Sequence, residues 1–438
     1  MTDGVRTTTE TPVRWHRTPV VALGLAGAVL LAAAGIAFSR PDLVAVGLPL
    51  GLATAWALAR RPAAGILRLT VAARSGSDDP QDGVVVGEVD AALTADWVQL
   101  AVDQGGLRTG LADTEPGDAR LRSQSLLRHT GPSELIAVTA RGVDQDGAWV
   151  STIGPRTALT WNAVPDTVAL RQLPVALRLT GLHGGHEGAR PGQGGDFRDI
   201  HPFAPGDELR RVDWRATARL ARRPGDLLVR RTQALSDSTV VIAIDTVDDL
   251  GEAVATWGTD DPEHSGVTSL DLARQAALSI ATSAVQAGDR VAYHVLAPGG
   301  RTVRAGAGAR QLARLRDVIA ATGASDVDVR YRRAPVIAHG SIVFVLSTFF
   351  DGAAAELATH WRAAGHAVVA VDILPSPHAE RLSREQLLAT RTLLAEREEV
   401  FAELRATGID VVPWAGDSPD IALRVAARGQ QRRRAVRR

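Results

Sequence analysis

The segment from Gly194 to Arg219 holds the residue types and spacings that could do chemistry. Nine Arg and six acidic residues lie between positions 196 and 231, and His201 stands two residues after Asp199. Planar Arg forks match carboxylates, so this charge pattern favours a locked loop whose charges satisfy one another. The His–Asp proximity is compatible with acid–base chemistry, but a surface His in a charged loop is the favoured interpretation.

Composition excludes several classes of chemistry. The chain has 438 residues, with 49 acidic residues balanced by 49 basic ones, all of them Arg, and it lacks Cys. It therefore has no thiolate nucleophile, Cys zinc site, P-loop lysine or Schiff base. Gly-x-Ser-x-Gly and His-Glu-x-x-His are also absent. We predict no catalytic residues, and the zero net charge predicts no nucleic-acid partner.

A Gly-rich stretch precedes the charged segment. Seven Gly lie between Gly181 and Gly195, together with His183, His186 and Glu187. A phosphate-binding loop requires a strand before it and a helix after it, and no helix start follows here. The two His and the Glu lack the spacing of a helical His pair, so a zinc site is less well supported than a linker. We predict a flexible linker.

Two apolar runs near the N-terminus predict a membrane hairpin. Pro19–Ser39 has 21 uncharged residues, and Leu43–Ala59 has 17, with Gly and Pro that favour an irregular helix. At ~1.5 Å per residue the first run spans about 30 Å, the thickness of a bilayer core. A signal peptide or a buried core helix is the alternative, but a signal peptide has a shorter apolar region and no second run.

The distribution of Arg predicts the topology of that hairpin. Three Arg precede it and four follow it closely, whereas only Arg40 lies in its turn. By the positive-inside rule both ends are cytoplasmic. The chain is therefore expected in the cell membrane as a multi-pass protein with its soluble domains in the cytoplasm.

The rest of the chain shows two kinds of pattern. Short β-type runs, the last at Val168–Leu170, alternate with turn residues over positions 62–179 and predict a β-sandwich-like domain. Strand and helix then alternate over positions 237–427, which predicts a doubly wound α/β domain whose ligands bind beyond the carboxyl ends of its strands. The sequence therefore divides into six segments: an N-terminal segment (1–18), the hairpin (19–60), the sandwich (62–179), the linker and charged segment (180–236), the α/β domain (237–427) and a basic tail (428–438).

Within the charged segment, one set of residues resembles a known family. The matching positions are Asp196, Phe197, Arg198, Pro205, Gly206, Asp207, Arg210, Asp213, Trp214, Ala218 and Arg219, with Phe203 where the family usually has Tyr. This signature resembles domain-of-unknown-function family fifty-eight, membrane-anchored proteins often encoded beside MoxR-type AAA+ ATPases. The resemblance implies a von Willebrand factor A-like C-terminal domain, no known catalytic activity, and a role in maturation of other proteins with such an ATPase.

That implied domain often binds a divalent cation through Asp-x-Ser-x-Ser after its first strand. The matching stretch here keeps Asp245, but Val247 and Asp249 replace the two Ser, and Ser347-Thr348 follow the later strand where Asp is usual. Asp245, Asp248 and Asp249 could form an altered Mg²⁺ site, since hard cations take several oxygen ligands. A lost site with a solvated loop is the favoured interpretation.

The signature also carries two structural expectations. Trp214 offers a large apolar surface in a charged segment, so we expect it to be buried. Asp213 is expected to cap the helix that starts there and to pair with an Arg of the same segment. Both would make the signature a structural lock between the sandwich and the α/β domain.

Three functions compete. The leading one is a membrane-tethered, non-enzymatic interaction protein with a MoxR-type ATPase as partner. The second is a metal-dependent, adhesion-type binder that needs Asp245. The third is a hydrolase in which Asp207, Asp213 and His201 share a cleft.

The C-terminal tail carries six Arg in its last eleven residues. A solvated, disordered terminus is the favoured interpretation. Attachment to anionic membrane lipid is the sharper alternative, and nucleic acid the weakest.

Overall fold

The computed structural model of the chain describes residues 4–75, 84–104, 108–115, 120–175, 186–205, 207–220, 222–223, 226–236, 238–257, 265–325, 334–380, 382–416 and 418–436. The chain forms two compact units. Unit 1 comprises positions 1–128 and 132–163, and unit 2 comprises positions 129–131 and 164–438.

Unit 1 begins with two strands that precede the hairpin, β1 (Val5–Val13) and β2 (Trp15–Arg17). The hairpin consists of α1 (Pro19–Ala37) and α2 (Pro41–Ala59), both with Pro in the first turn, where no backbone N–H is needed. The α2 helix runs through Pro49, so the expected irregular second run is a continuous helix of 19 residues. Both helices are long and apolar enough to cross a membrane.

Small residues bring α1 and α2 into close contact. A Cβ added at Gly24 would lie 2.4 Å from Thr54 Oγ1, and one at Gly35 would lie 2.5 Å from Val44 Cγ2. Close approach through small residues is how membrane helices gain packing contacts without a hydrophobic driving force. These glycines therefore define the face along which the hairpin closes.

The remaining strands of unit 1 form two antiparallel sheets. They are β3 (Gly65–Ser75), β4 (Val84–Ala92), β5 (Trp97–Gln104), β6 (Arg108–Thr114), β7 (Arg120–Leu126), β8 (Gly131–Val143), β9 (Trp149–Ser151) and β10 (Thr157–Ala163). One sheet has the order β1-β3-β4-β7, and the other has the order β2-β9-β8-β5-β6 with β10 beside β8. Alternate residues such as Leu69, Val89, Leu100 and Val138 meet in one buried core, as in a β-sandwich.

Two boundaries of this sandwich differ from the sequence analysis. Residues before the hairpin supply β1 and β2, and unit 1 ends at Ala163. The predicted strand Val168–Leu170 is instead irregular backbone whose Val168 N–H donates to Ser279 Oγ in unit 2. Its apolar side chains pack on the core of unit 2, which explains why the run resembles a strand.

Unit 2 opens with a two-stranded ribbon and a short helix. The ribbon pairs β11 (His186–Pro202) with β12 (Leu228–Ser236), and α3 (Trp214–Leu220) lies between the two strands in sequence. The Gly-rich stretch from position 186 onward is therefore a strand with three irregular steps in its pairing, not a flexible linker. Positions 181–185, including His183, lie outside the described residues.

The main sheet of unit 2 has six strands. In chain order its elements are β13 (Thr239–Asp245), α4 (Ser269–Gln286), β14 (Arg290–Leu296), β15 (Thr302–Gly306), α5 (Ala309–Ala320), β16 (Ile342–Ser347), α6 (Ala353–Ala363), β17 (Ala367–Asp372), α7 (Arg384–Ala406), β18 (Asp410–Pro413) and α8 (Pro419–Val436). The strand order is β15-β14-β13-β16-β17-β18, parallel except for β15. Helices α4, α5 and α8 pack on one face, and α6 and α7 pack on the other.

This arrangement confirms a mixed α/β domain and adds two elements to it. The antiparallel edge strand β15 and the helix α8 are absent from the sequence prediction. Helix α8 continues to Val436 and so takes in most of the tail that was expected to be a disordered terminus.

The short segment 129–131 is tied to α4. Asp271 accepts hydrogen bonds from Thr130 N at 2.7 Å and Thr130 Oγ1 at 2.8 Å, and lies 2.7 Å from His129 Nδ1. The buried Arg274 donates from Nη1 to Thr130 O and from Nε to Thr322 O. Asp271 also closes the capping box of α4, so one carboxylate fixes both the helix start and this segment.

Candidate functional sites

The first candidate site lies at the carboxyl edge of the parallel sheet. After β13 the chain adds β14 on one side and later β16 on the other, so β13 and β16 flank the point where the strand order reverses. Ligands of doubly wound sheets bind in the crevice at such a point. Asp245 ends β13 and Ser347 ends β16, so the fold brings these sequence-predicted residues together from 102 positions apart.

The three candidate carboxylates turn to different partners. Asp245 Oδ2 accepts from Ser347 Oγ at 2.8 Å, and Asp248 Oδ2 accepts from Thr348 Oγ1 at 2.8 Å. Asp249 Oδ1 accepts from the backbone N–H of Leu270 at 3.2 Å, near the start of α4. Among the described residues, no three or more His, Asp or Glu side chains gather as a metal site. Each of the three carboxylates thus accepts a hydrogen bond from a protein donor. Positions 258–264, between Asp249 and α4, lie outside the described residues.

Burial makes Asp245 a weaker acid than an exposed Asp. Its side chain is almost fully enclosed, and this burial raises its pKa to about 6, against the opposing hydrogen bonds from Ser347 and Val247. Asp351 and Asp248 raise the pKa further by repulsion. A buried carboxyl with a shifted pKa in a ligand-binding crevice is a candidate functional group.

The raised pKa of Asp245 predicts how stability depends on pH. An exposed Asp titrates near 3.9, so between pH 4 and 6 the folded chain binds the proton more tightly than the unfolded chain. Stability from this group is therefore present at low pH and is lost as pH rises through 6, by on the order of 3 kcal/mol. In Asp245→Asn the unfolding midpoint should therefore change much less between pH 4 and 7 than it does in the wild type. A variant whose pH profile still parallels the wild type would contradict this assignment.

The metal hypothesis has its own test. A ligand that binds only the folded chain stabilises it by RT ln(1 + [L]/Kd). Because the carboxylates turn to protein donors, Mg²⁺ at about millimolar concentration should leave the thermal midpoint of the full chain nearly unchanged. A rise of several degrees that Asp245→Ala abolishes would revive the metal-dependent binder.

A buried ion pair that the sequence analysis missed closes the same edge. Arg397 of α7 donates from Nη2 to Asp372 Oδ1 at the end of β17, and from Nε to the carbonyl oxygen of Thr348 at 2.5 Å. Its guanidinium carbon lies 4.5 Å from the ring centre of Phe401 and 5.4 Å from that of Phe350. Burial raises the pKa of Asp372 and lowers the pKa of Arg397, so removal from water outweighs the attraction between the two charges.

The second candidate site is the signature. Asp213 caps α3, since its Oδ1 accepts from the N–H groups of Arg215 at 3.0 Å and Ala216 at 2.9 Å. The predicted cap is therefore present, but among the described residues no ion pair joins Asp213 to an Arg. His201 Nε2 lies 3.2 Å from Asp207 Oδ2, so two of the three proposed hydrolase residues meet while Asp213 is engaged in the cap.

The expectation that Trp214 is buried is wrong. Its side chain is 67% exposed, at the first position of α3, and the aromatic rings of Phe197 and Phe203 are 51% and 38% exposed. The cause is local: α3 has only seven residues and buries only Ala216, so the first position of this helix stays at the surface. A large apolar side chain in a charged segment led us to expect a buried Trp214. The same combination of an aromatic ring and charged neighbours is also typical of an exposed binding surface.

The segment that carries these rings is also rich in exposed Arg. Six Arg of the signature and its flanks are exposed: Arg210, Arg215, Arg219, Arg222, Arg223 and Arg230. Arg230 stacks over Phe197 with its guanidinium carbon 5.4 Å from the ring centre, and Arg210 pairs with Glu208, whose pKa it holds below the usual value. Pro205 is exposed, Gly206 lies outside the described residues, and Asp196 and Arg198 lie in β11 with side chains outside the described part.

Comparison with known proteins bears on both sites. Residues 199–385 match the model of a family described as protein of unknown function, DUF58. The match runs from β11 into the start of α7, and so covers most of the signature and the reversal point of the sheet. It confirms the sequence resemblance over these residues. No curated protein and no solved structure matches the chain.

Proposed function

We propose that the chain is a membrane-anchored, non-enzymatic binding protein whose signature contacts a partner protein. The exposure of Trp214 is the observation that carries this proposal. An exposed aromatic ring among exposed Arg side chains has the composition of an interface hot spot, in which Trp, Tyr and Arg dominate the energy. The excess of exposed Arg calls for a partner surface that combines acidic and apolar side chains.

A MoxR-type AAA+ ATPase is the partner that we propose, from the family resemblance. The α/β domain would then be von Willebrand factor A-like in fold, with a carboxyl edge closed by protein hydrogen bonds and by Arg397. In that arrangement Trp214 and the exposed Arg of the signature, not the sheet edge, receive the partner. The test is binding of the purified ATPase to the full chain held in a lipid nanodisc, with variants of the signature as described in the Discussion.

Exposure of the apolar helices supports the membrane anchor. In the most apolar 18-residue stretch of each helix, only 6% of α1 and 17% of α2 is buried. A core helix of a soluble protein would be mostly enclosed. Because β1 pairs with β3 and β2 pairs with β9, the two ends of the hairpin return to one domain and so lie on one side of the membrane. The Arg distribution favours the cytoplasm as that side.

Reporter fusions test this topology. A fusion after position 75 and one at the C-terminus should both report the cytoplasm, and one inserted at the turn near Arg40 should report the opposite side. A periplasmic or extracellular signal from either of the first two would overturn the proposed orientation.

A further inference from the structure

The hairpin is fixed to the sandwich, all within unit 1. Trp149 donates from Nε1 to the carbonyl oxygen of Ala57 at 3.1 Å, satisfying an acceptor that the end of α2 leaves free. Thr18, at the start of α1, donates from Oγ1 to Gly147 O at 2.5 Å and from its backbone N to Ala148 O at 2.9 Å. Trp15 and Trp149 are both buried in the cluster that joins the helix ends to the strands.

Two guanidinium groups converge on one ring at this junction. Arg17 and Arg61 are both exposed, and the guanidinium carbon of each lies 5.6 Å from the centre of the Trp149 ring. Arg60 lies in the same way over Trp56, at 5.5 Å. Because Trp149 is held by the end of α2, the ring gives both cations one fixed apolar face to stack on.

The charges nearby do not neutralise this pair. Asp96, Asp144 and Asp146 lie on turns close to Trp149, but Asp144 is turned inward and accepts from the Trp149 backbone N–H at 2.9 Å. Asp96 accepts from the backbone N–H of Gln145 at 3.0 Å. All of these side chains are described, and no ion pair within 4.0 Å joins any of the three to Arg17 or Arg61. The pair is therefore available to an external anion.

The position of the pair identifies the anion. Arg17 lies two residues before α1, and Arg61 lies two residues after α2. Helices of 19 residues span about 28 Å, the depth of the hydrocarbon layer, so both cations lie at the level of the lipid headgroups. Trp149 itself is buried, but the two Arg are exposed, and basic groups at that depth attract anionic lipid.

We infer that Arg17 and Arg61, stacked on Trp149, form a binding site for the phosphate of an anionic phospholipid. The inference rests on the proposed membrane anchor. Each guanidinium presents a fork of N–H donors that suits phosphate oxygens, and both stand against Trp149, through which the sandwich would receive the contact. The bound headgroup would fix the orientation of the sandwich against the bilayer.

The test compares lipid binding by the full chain purified in detergent, using native mass spectrometry. Phosphatidylglycerol or cardiolipin should bind about tenfold more tightly than phosphatidylcholine. The double variant Arg17→Gln/Arg61→Gln should lose this preference. The matched control is Arg74→Gln/Arg122→Gln, which removes the same charge from two exposed Arg of the sandwich that pair with Glu88, and it should keep the preference.

Three results would overturn the site. They are an unchanged preference in Arg17→Gln/Arg61→Gln, an equal loss in the control, and displacement of the lipid by millimolar inorganic phosphate, which would show a soluble anion site. Carbonate extraction of cell membranes tests the anchor separately. A chain that washes off the membrane overturns the anchor and the lipid site together, whereas a retained chain without lipid preference overturns the site alone.

Discussion

Replacement of Arg397 by Ala should lower the free energy of unfolding by roughly 3–5 kcal/mol. The substitution leaves the Asp372 carboxylate buried without its partner, and it frees the carbonyl of Thr348. It also removes the guanidinium that stacks on Phe401. The measurement is the urea unfolding midpoint of the full chain in detergent, followed by Trp fluorescence, since Trp361 and Trp414 are buried in the same unit.

Two controls separate the buried pair from general loss of an Arg. Arg405→Ala removes an exposed Arg of the same helix that pairs with Glu398, and it should change stability by less than about 1 kcal/mol. The double variant Arg397→Met/Asp372→Leu removes both charges and keeps most of the volume, so it should recover much of the loss. If Arg397→Ala is as stable as Arg405→Ala, the pair does not hold the carboxyl edge closed.

The α/β part of the fold could be predicted because its strands are buried on both faces. Thr239–Ile244 is a continuous apolar run, and the structure makes it the central strand β13. By contrast β1, with four Thr in nine residues, and the Gly-rich β11 gain their structure from pairing with distant strands, Gly65–Ser75 and Leu228–Ser236. Single-sequence patterns do not record such pairing, so these strands were missed.

The same limit applies to the sites. Asp245 could be found because a motif points to it, but its Ser347 partner depends on the order of the strands. Arg397 stands among Glu and Arg on a charged helix, where the pattern predicts a solvated face. Only the fold shows that this one position of α7 turns onto the ends of β16 and β17. A buried charge with a partner 25 positions away leaves no local signal.

Trp214→Ala should leave stability nearly unchanged and weaken binding of the proposed ATPase partner. The ring is 67% exposed, so its removal should shift the free energy of unfolding by no more than about 0.5 kcal/mol. A Trp at the centre of an interface contributes about 2 kcal/mol or more, which corresponds to a roughly 30-fold increase in Kd. Binding would be measured by interferometry on the full chain in nanodiscs, with unfolding midpoints recorded for the same samples.

Two further variants test which exposed side chains contact the partner. Trp97→Ala removes another partly exposed Trp, in the sandwich, and should leave binding intact. Arg215→Gln/Arg219→Gln should slow association and reduce its dependence on salt, because exposed charges act mainly on the encounter rate. A large drop in stability for Trp214→Ala would return the ring to a structural role. Wild-type affinity in that variant would show that the partner does not contact α3, and the signature would then need another function.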